Sequence, residues 1–179
     1  MDHVFRPARF FPLPDGTRVA PVLSPWDVDA RGSGTAALPD ASLALGEIPA
    51  GGVSKPHLHP LVSQVTWVLD GALRVRMKGL RDAGAYELHV PAGVAVLTEP
   101  MTFLQLVNVD TARVAKVLYM VMPAYVYAPG EHGYDDAVVF EQTWEQLAAE
   151  GFPTGRVGDV EAVRGRRAFC LQKLETGAG

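Results

Sequence analysis

Only one cysteine, Cys170, occurs in the 179 residues, so no disulfide framework within the chain is available. That scarcity suits a reducing compartment. Cys170 sits between Phe169 and Leu171 and reads as a buried, inert thiol rather than a nucleophile. No apolar run approaches the roughly 20 residues that a membrane helix needs. The opening run MDHVFRPARFFPLPDG carries charges and prolines where a secretory leader needs an apolar stretch. These absences lead to the expectation of a soluble, cytoplasmic protein with no membrane partner. Basic residues are also few: 16 Lys and Arg stand against 20 Asp and Glu, a formal net charge of -4. The one basic cluster, Arg164–Arg167, is short and reads as a solvated turn, so no nucleic-acid partner is expected. A nucleophile elbow, a phosphate loop, a CxxC pair and a dinucleotide fingerprint are all missing. Covalent catalysis and nucleotide binding therefore have no support.

What the sequence does have is punctuation. Fourteen prolines and 18 glycines separate short runs rich in Val, Leu, Thr and Tyr. Many short strands joined by turns imply a sandwich or barrel. In ALRVRMK, Leu73, Val75 and Met77 alternate with Arg74, Arg76 and Lys78, the pattern of a half-buried antiparallel strand. Asp70-Gly71 between two such runs reads as a hairpin turn. The run Arg113 to Tyr127 reads as a long strand bent at Pro123. Residues 1–40 look irregular, with a loop over Asp29 to Asp40. In TWEQLAAEG, Thr143 and Gln146 have capping-box spacing, and Trp144, Leu147 and Ala148 share a face, so a short helix is expected there. One domain spans 1–179: a barrel core over 41–127, and a C-terminal helix and tail over 128–179.

The stretch GGVSKPHLHPLVSQVTWVLDG carries the chemistry. Residues i and i+2 of a strand point to the same side, so His57 and His59 aim together and suit one metal ion. Gln64 follows Pro60 and could face them across a hairpin. Neutral imidazoles favour Fe, Zn, Mn or Ni, and an amide oxygen adds a weaker, uncharged ligand.

This segment resembles the first motif of the cupin superfamily: glycine, five residues, H-x-H, three or four residues, glutamate, six residues, glycine. Gly51, His57, His59, Gln64 and Gly71 fit every spacing, with Gln64 standing where the family has glutamate. The family's second motif is weaker here. Gly93 and Asn108 match, but Glu99 and Met101 replace the proline and glycine, and Leu104 replaces the metal-binding histidine. The resemblance spans about residues 41 to 127. It implies an all-β, cupin-type antiparallel β-barrel (jelly roll) with one divalent transition metal ion (Fe, Zn, Mn or Ni) on His57, His59 and Gln64. Leu104 would leave one coordination position open for substrate or water, as catalytic sites need. The opposite reading is a degenerate barrel without metal.

Three further residues are candidates. Glu47 shares a strand face with Leu43 and Leu45. If that face lines the barrel, Glu47 is a general acid/base; in the other register it sits in solvent. Thr66, on the face of Gln64, and Leu104 are expected to touch substrate. His89 reads as a surface or structural residue. His132 lies in a loop that could close over the site, and His3 in a mobile terminus. Together these residues imply a mononuclear metalloenzyme acting on a small, largely apolar organic molecule, by oxygenation or by Lewis-acid cyclisation, isomerisation or condensation. The alternatives are a non-catalytic binder and a metal-free acid/base isomerase or epimerase. By resemblance, a homodimer is expected.

Overall fold

A computed structural model describes residues 6–24, 40–128 and 133–176. His3, His132 and residues 29–39 of the expected loop lie outside the described residues. Numbered in chain order, the strands form two main antiparallel sheets. The first has the order β1 (Phe11–Pro12), β2 (Arg18–Leu23), β3 (Ser42–Ile48), β10 (Ala115–Met122), β5 (Ser63–Asp70) and β8 (Ala95–Thr98). The second has the order β13 (Val138–Val139), β4 (His57–Leu58), β9 (Phe103–Asn108), β6 (Ala72–Lys78) and β7 (Tyr86–Pro91). A small ribbon pairs β11 (Tyr127–Ala128) with β12 (Tyr134–Asp135). The fold is therefore the expected all-β jelly roll.

Alternation along each strand decides what lies between the sheets. Leu73, Val75 and Met77 of β6 turn inward, as their spacing predicts, and meet Val68, Val117 and Leu104 in a common core. The charged alternates stay outside, where Arg76 reaches Glu87 at 2.7 Å and Glu145 at 2.9 Å. The Asp70-Gly71 turn does not make the expected hairpin. β5 pairs with β10 and β8, whereas β6 pairs with β7 and β9, so the turn carries the chain from one sheet to the other. Gly71, at φ 83°, supplies the left-handed backbone that this crossing uses. The long strand ends at Met122, just before Pro123, rather than bending through it.

The C-terminal part covers the outer face of the second sheet. α1 (Trp144–Ala149) starts at Thr143, and the expected capping box forms: Thr143 Oγ1 accepts from Gln146 N–H, and Gln146 Oε1 accepts from Thr143 N–H. Trp144 and Leu147 pack with Leu58, Phe103, Phe140 and Phe152. Beyond a 3-10 turn (Thr154–Val157), a second helix, α2 (Val160–Thr176), runs where a turn is read for Arg164–Arg167. Its packed side holds Val163, Arg167, Cys170 and Leu174, and Arg167 interrupts the apolar repeat that would have announced it. Cys170 is buried, as expected. Among the described residues no helix is long and apolar enough to cross a membrane.

Candidate functional site

One end of the barrel is filled by aliphatic side chains. The other holds a cavity of about 110 Å³ that β1, β3, β10, the β11–β12 ribbon and the Asp15 turn enclose. His57, His59 and Gln64 all line it. His57 is placed by its pairing with Leu104 across β4 and β9, which aims both side chains into the barrel. His57 and His59 lie with ring centroids 5.4 Å apart. Each Nδ1 faces a backbone carbonyl: His57 that of Lys55 at 3.0 Å, His59 that of Asp136 at 3.4 Å. Donation from Nδ1–H to a carbonyl fixes the tautomer and leaves the Nε2 lone pair free. His59 Nε2 is buried with no hydrogen-bond partner. Burial, reinforced by neighbouring His57 and only partly opposed by the Asp136 carbonyl, pulls the His59 pKa down to about 3. His59 is therefore a neutral imidazole at pH 7.

An orphaned lone pair beside a second same-facing imidazole fits a divalent transition ion. Gln64 Nε2 donates to Thr66 Oγ1 at 3.1 Å, which leaves its amide oxygen as the atom available to a ligand. No group of three His, Cys, Asp or Glu that could hold a metal ion occurs among the described residues. The donor set on offer is thus two imidazoles and an amide, neutral and open on the remaining sides.

Three placements differ from the sequence reading. Glu47 is outside: Ser42 and Ala44 face the cavity and Ile48 the core, so Leu45 and Glu47 take the other face. There Glu47 binds Arg18 at 2.9 Å. The register follows from Gly46, where an added Cβ would stand 2.3 Å from the Tyr119 ring, so the inward face of β3 is the one that admits that ring. Thr66 is fully buried behind Gln64 and does not line the cavity. Leu104 is likewise sealed in the aliphatic core, and Leu106, one alternation further, forms the wall instead. His89 is exposed.

Two carboxylates at the cavity are absent from the sequence reading. Asp15, 7% exposed, accepts from Thr17 N–H and Oγ1–H, and its second oxygen lies 3.8 Å from His57 Nδ1. Asp135 accepts from the Tyr125 hydroxyl and from Ala137 N–H. Burial raises the Asp135 carboxyl above the usual range, although the Tyr125 hydrogen bond opposes the shift. The Tyr125 ring meets His59 edge-on at 5.7 Å. In the sequence, PDGT resembles an ordinary turn and Tyr134-Asp135-Asp136 an ordinary loop. Only the closure of the barrel brings them to the histidines.

Asn108, the matched end of the second motif, stands away from this chemistry. Its Nδ2 donates to the carbonyls of Ile48, Pro49 and Arg113, and its Oδ1 accepts from Asp110 N–H. It ties the turn after β3 to the turn after β9.

The His59 shift makes acid stability a measurable consequence. The unfolded chain takes up a proton near pH 6.5, which the folded chain resists until about pH 3. Stability of the metal-free protein should therefore fall by about 1.4 kcal/mol per pH unit on acidification through that window. Asp135 and Asp136, whose pKa values are raised by burial, hold protons more tightly folded than unfolded and oppose the trend. Urea unfolding at pH 7 and pH 5 should show a lower midpoint at pH 5, and His59→Gln should flatten the difference.

No family model and no curated protein matches the sequence. Solved structures do. The capsular polysaccharide assembling protein CapF of Staphylococcus aureus is similar at TM-score 0.56 and 12% identity, over 79% of this chain and 33% of that one. The Drosophila melanogaster CENP-C cupin domain is similar at TM-score 0.50 and 11% identity, over 63% and 69%. KdgF from Halomonas sp. aligns at TM-score 0.49 and 18% identity, over 64% and 86%. At the identities of the first two the likeness is one of fold, and the fold is that of a cupin domain.

Proposed function

We propose that this chain is a mononuclear metal-dependent cupin enzyme acting on a small, largely apolar organic molecule held in the barrel cavity. The observation that carries the reading is His59 Nε2, a buried lone pair without a partner, beside His57 at the cavity wall. His57 and His59 would hold the ion, with the Gln64 amide oxygen as a weaker third donor. A bound ion of this kind supplies Lewis acidity or, as iron, oxygen activation. The surrounding groups support Lewis-acid chemistry with proton transfer. Tyr125 keeps its proton, because burial and the Asp135 carboxylate raise its pKa. Asp135 accepts that hydrogen bond and takes the acid/base role read from sequence for Glu47. Leu106, Val121 and Val139 give the apolar wall that keeps water from a bound substrate. Protein prepared without chelators should carry about one equivalent of a divalent transition metal. Less than about a tenth of an equivalent, with no uptake on titration, overturns the reading.

A second reading, a non-catalytic binder or metal-free isomerase, draws on the Gln64–Thr66 hydrogen bond, which makes Gln64 a structural side chain rather than a ligand. Ligand binding or turnover that survives exhaustive chelation would decide for it.

The homodimer has its own support. On the outer face of the first sheet, Leu97, Val65 and Met120 lie in register across three strands, and Trp67, Leu118 and Leu45 form the next row. Trp67 is 48% and Leu97 54% exposed. A continuous apolar face of this kind fits burial against another protein surface. A second copy is the fitting occupant, because the rim carries both signs in register, Lys116 beside Glu47 and Asp70. Light scattering should give a dimer that Leu97→Glu shifts toward monomer. A parent chain that is monomeric at every concentration overturns the assignment.

A further inference from the structure

The cavity has an uneven charge inventory. Two carboxylates line it, Asp15 and Asp135, and no lysine or arginine does among the described residues. Arg18 is engaged with Glu47, Lys55 with Glu141 and Arg167 with Asp136, and Arg9, two residues before Phe11, is exposed. Four aromatic rings also line the cavity: Phe11, Tyr119, Tyr125 and Tyr127. Phe11 and Tyr127 stack with centroids 5.9 Å apart. The Tyr125 hydroxyl is turned onto Asp135, so this carboxylate sits at the end of an aromatic wall. Ring faces carry negative quadrupole charge and attract cations, most strongly where water is excluded. A carboxylate beside them adds a Coulomb attraction that the same burial strengthens. An anionic ligand would meet both features with the wrong sign and find no cation to offset its lost hydration.

We propose that the cavity selects molecules that carry an ammonium group on an aromatic or apolar body, and discriminates against their carboxylate analogues. The inference rests on the reading of the cavity as a ligand site, but not on the metal. A divalent ion on the histidine pair would balance the two aspartates and offer a carboxylate an open coordination position, so the charge selection belongs to the metal-free cavity.

The test is a set of three probes of nearly equal size: 2-phenylethylamine, 2-phenylethanol and phenylacetate. Each is titrated calorimetrically into the protein as isolated and after chelation. After chelation the ammonium probe should bind at least about tenfold more tightly than phenylacetate, with the alcohol between them. Asp135→Asn and, separately, Asp15→Asn should each reduce that ratio to below about threefold, with unchanged near-ultraviolet circular dichroism as the folding control. Phenylacetate binding as tightly as the amine after chelation overturns the charge selection and leaves the cavity as a ligand site. Failure of all three probes to bind overturns the ligand-site reading as well. If the variants do not fold, the parent chain's ranking of the three probes decides alone.

Discussion

The His59→Ala variant is expected to bind divalent transition ions at least about 100-fold more weakly than the parent chain while keeping its barrel. The size of the effect follows from what His59 contributes. Its ring is buried, its Nδ1 is committed to the Asp136 carbonyl, and its Nε2 has no partner in the protein. That nitrogen is therefore pre-set as a donor with no rotamer search and no proton to displace at neutral pH. The other donors do not make up the loss. Gln64 offers only an uncharged amide, and among the described residues no third His, Cys, Asp or Glu joins the pair. The exposed His89 serves as the control, and His89→Ala should leave the affinity unchanged. Chelator-buffered calorimetry reads both. A His59→Ala affinity within about twofold of the parent would remove His59 from the ligand set.

Arg167→Met should destabilise the fold by about 3–5 kcal/mol. Arg167 Nε meets Asp136 Oδ1 at 3.0 Å, with the two side chains 13% and 1% exposed. Asp136 also accepts from Val126 N–H and the Tyr134 hydroxyl, and Arg167 donates to the Ala124 carbonyl. Removing the cation leaves a buried carboxylate with neutral donors only, a far larger penalty than the loss of a surface pair. The double variant with Asp136→Asn should regain part of the loss, because the stranded charge is gone. Urea unfolding measures each value. A loss below about 1 kcal/mol for Arg167→Met would show that α2 is not anchored through this pair. Metal affinity should fall as well, since the Asp136 backbone orients His59. Thus α2, far along the chain from the histidines, holds one of them in place.

How much of this is legible in the sequence depends on the range of the interaction. The alternation in ALRVRMK and the capping box at Thr143 are local patterns, and the structure carries both out; the spacing from Gly51 to Gly71 is local too, and its His57, His59 and Gln64 line one cavity. The face of β3 is not local. Leu43, Leu45 and Glu47 form a credible apolar face with a carboxylate, and only the approach of the Tyr119 ring to Gly46 shows that the opposite face turns inward. Leu104 is the converse case. Its position in the motif identifies the strand pairing with His57, but a leucine there packs downward into the core and hands the cavity wall to Leu106. Asp15 and Asp135 come from segments about 120 residues apart, a separation that no motif spans. α2 is hidden because an arginine occupies its packed face, and the reason for Arg167 is a buried aspartate 31 residues earlier.

The claim that His57 and His59 hold a metal ion is tested most directly by X-ray absorption at the edge of the metal bound to the protein. The account predicts a light-atom first shell with the multiple scattering of about two imidazole rings, reduced to about one in His57→Ala. A spectrum without imidazole scattering, or one that His57→Ala leaves unchanged, would contradict it.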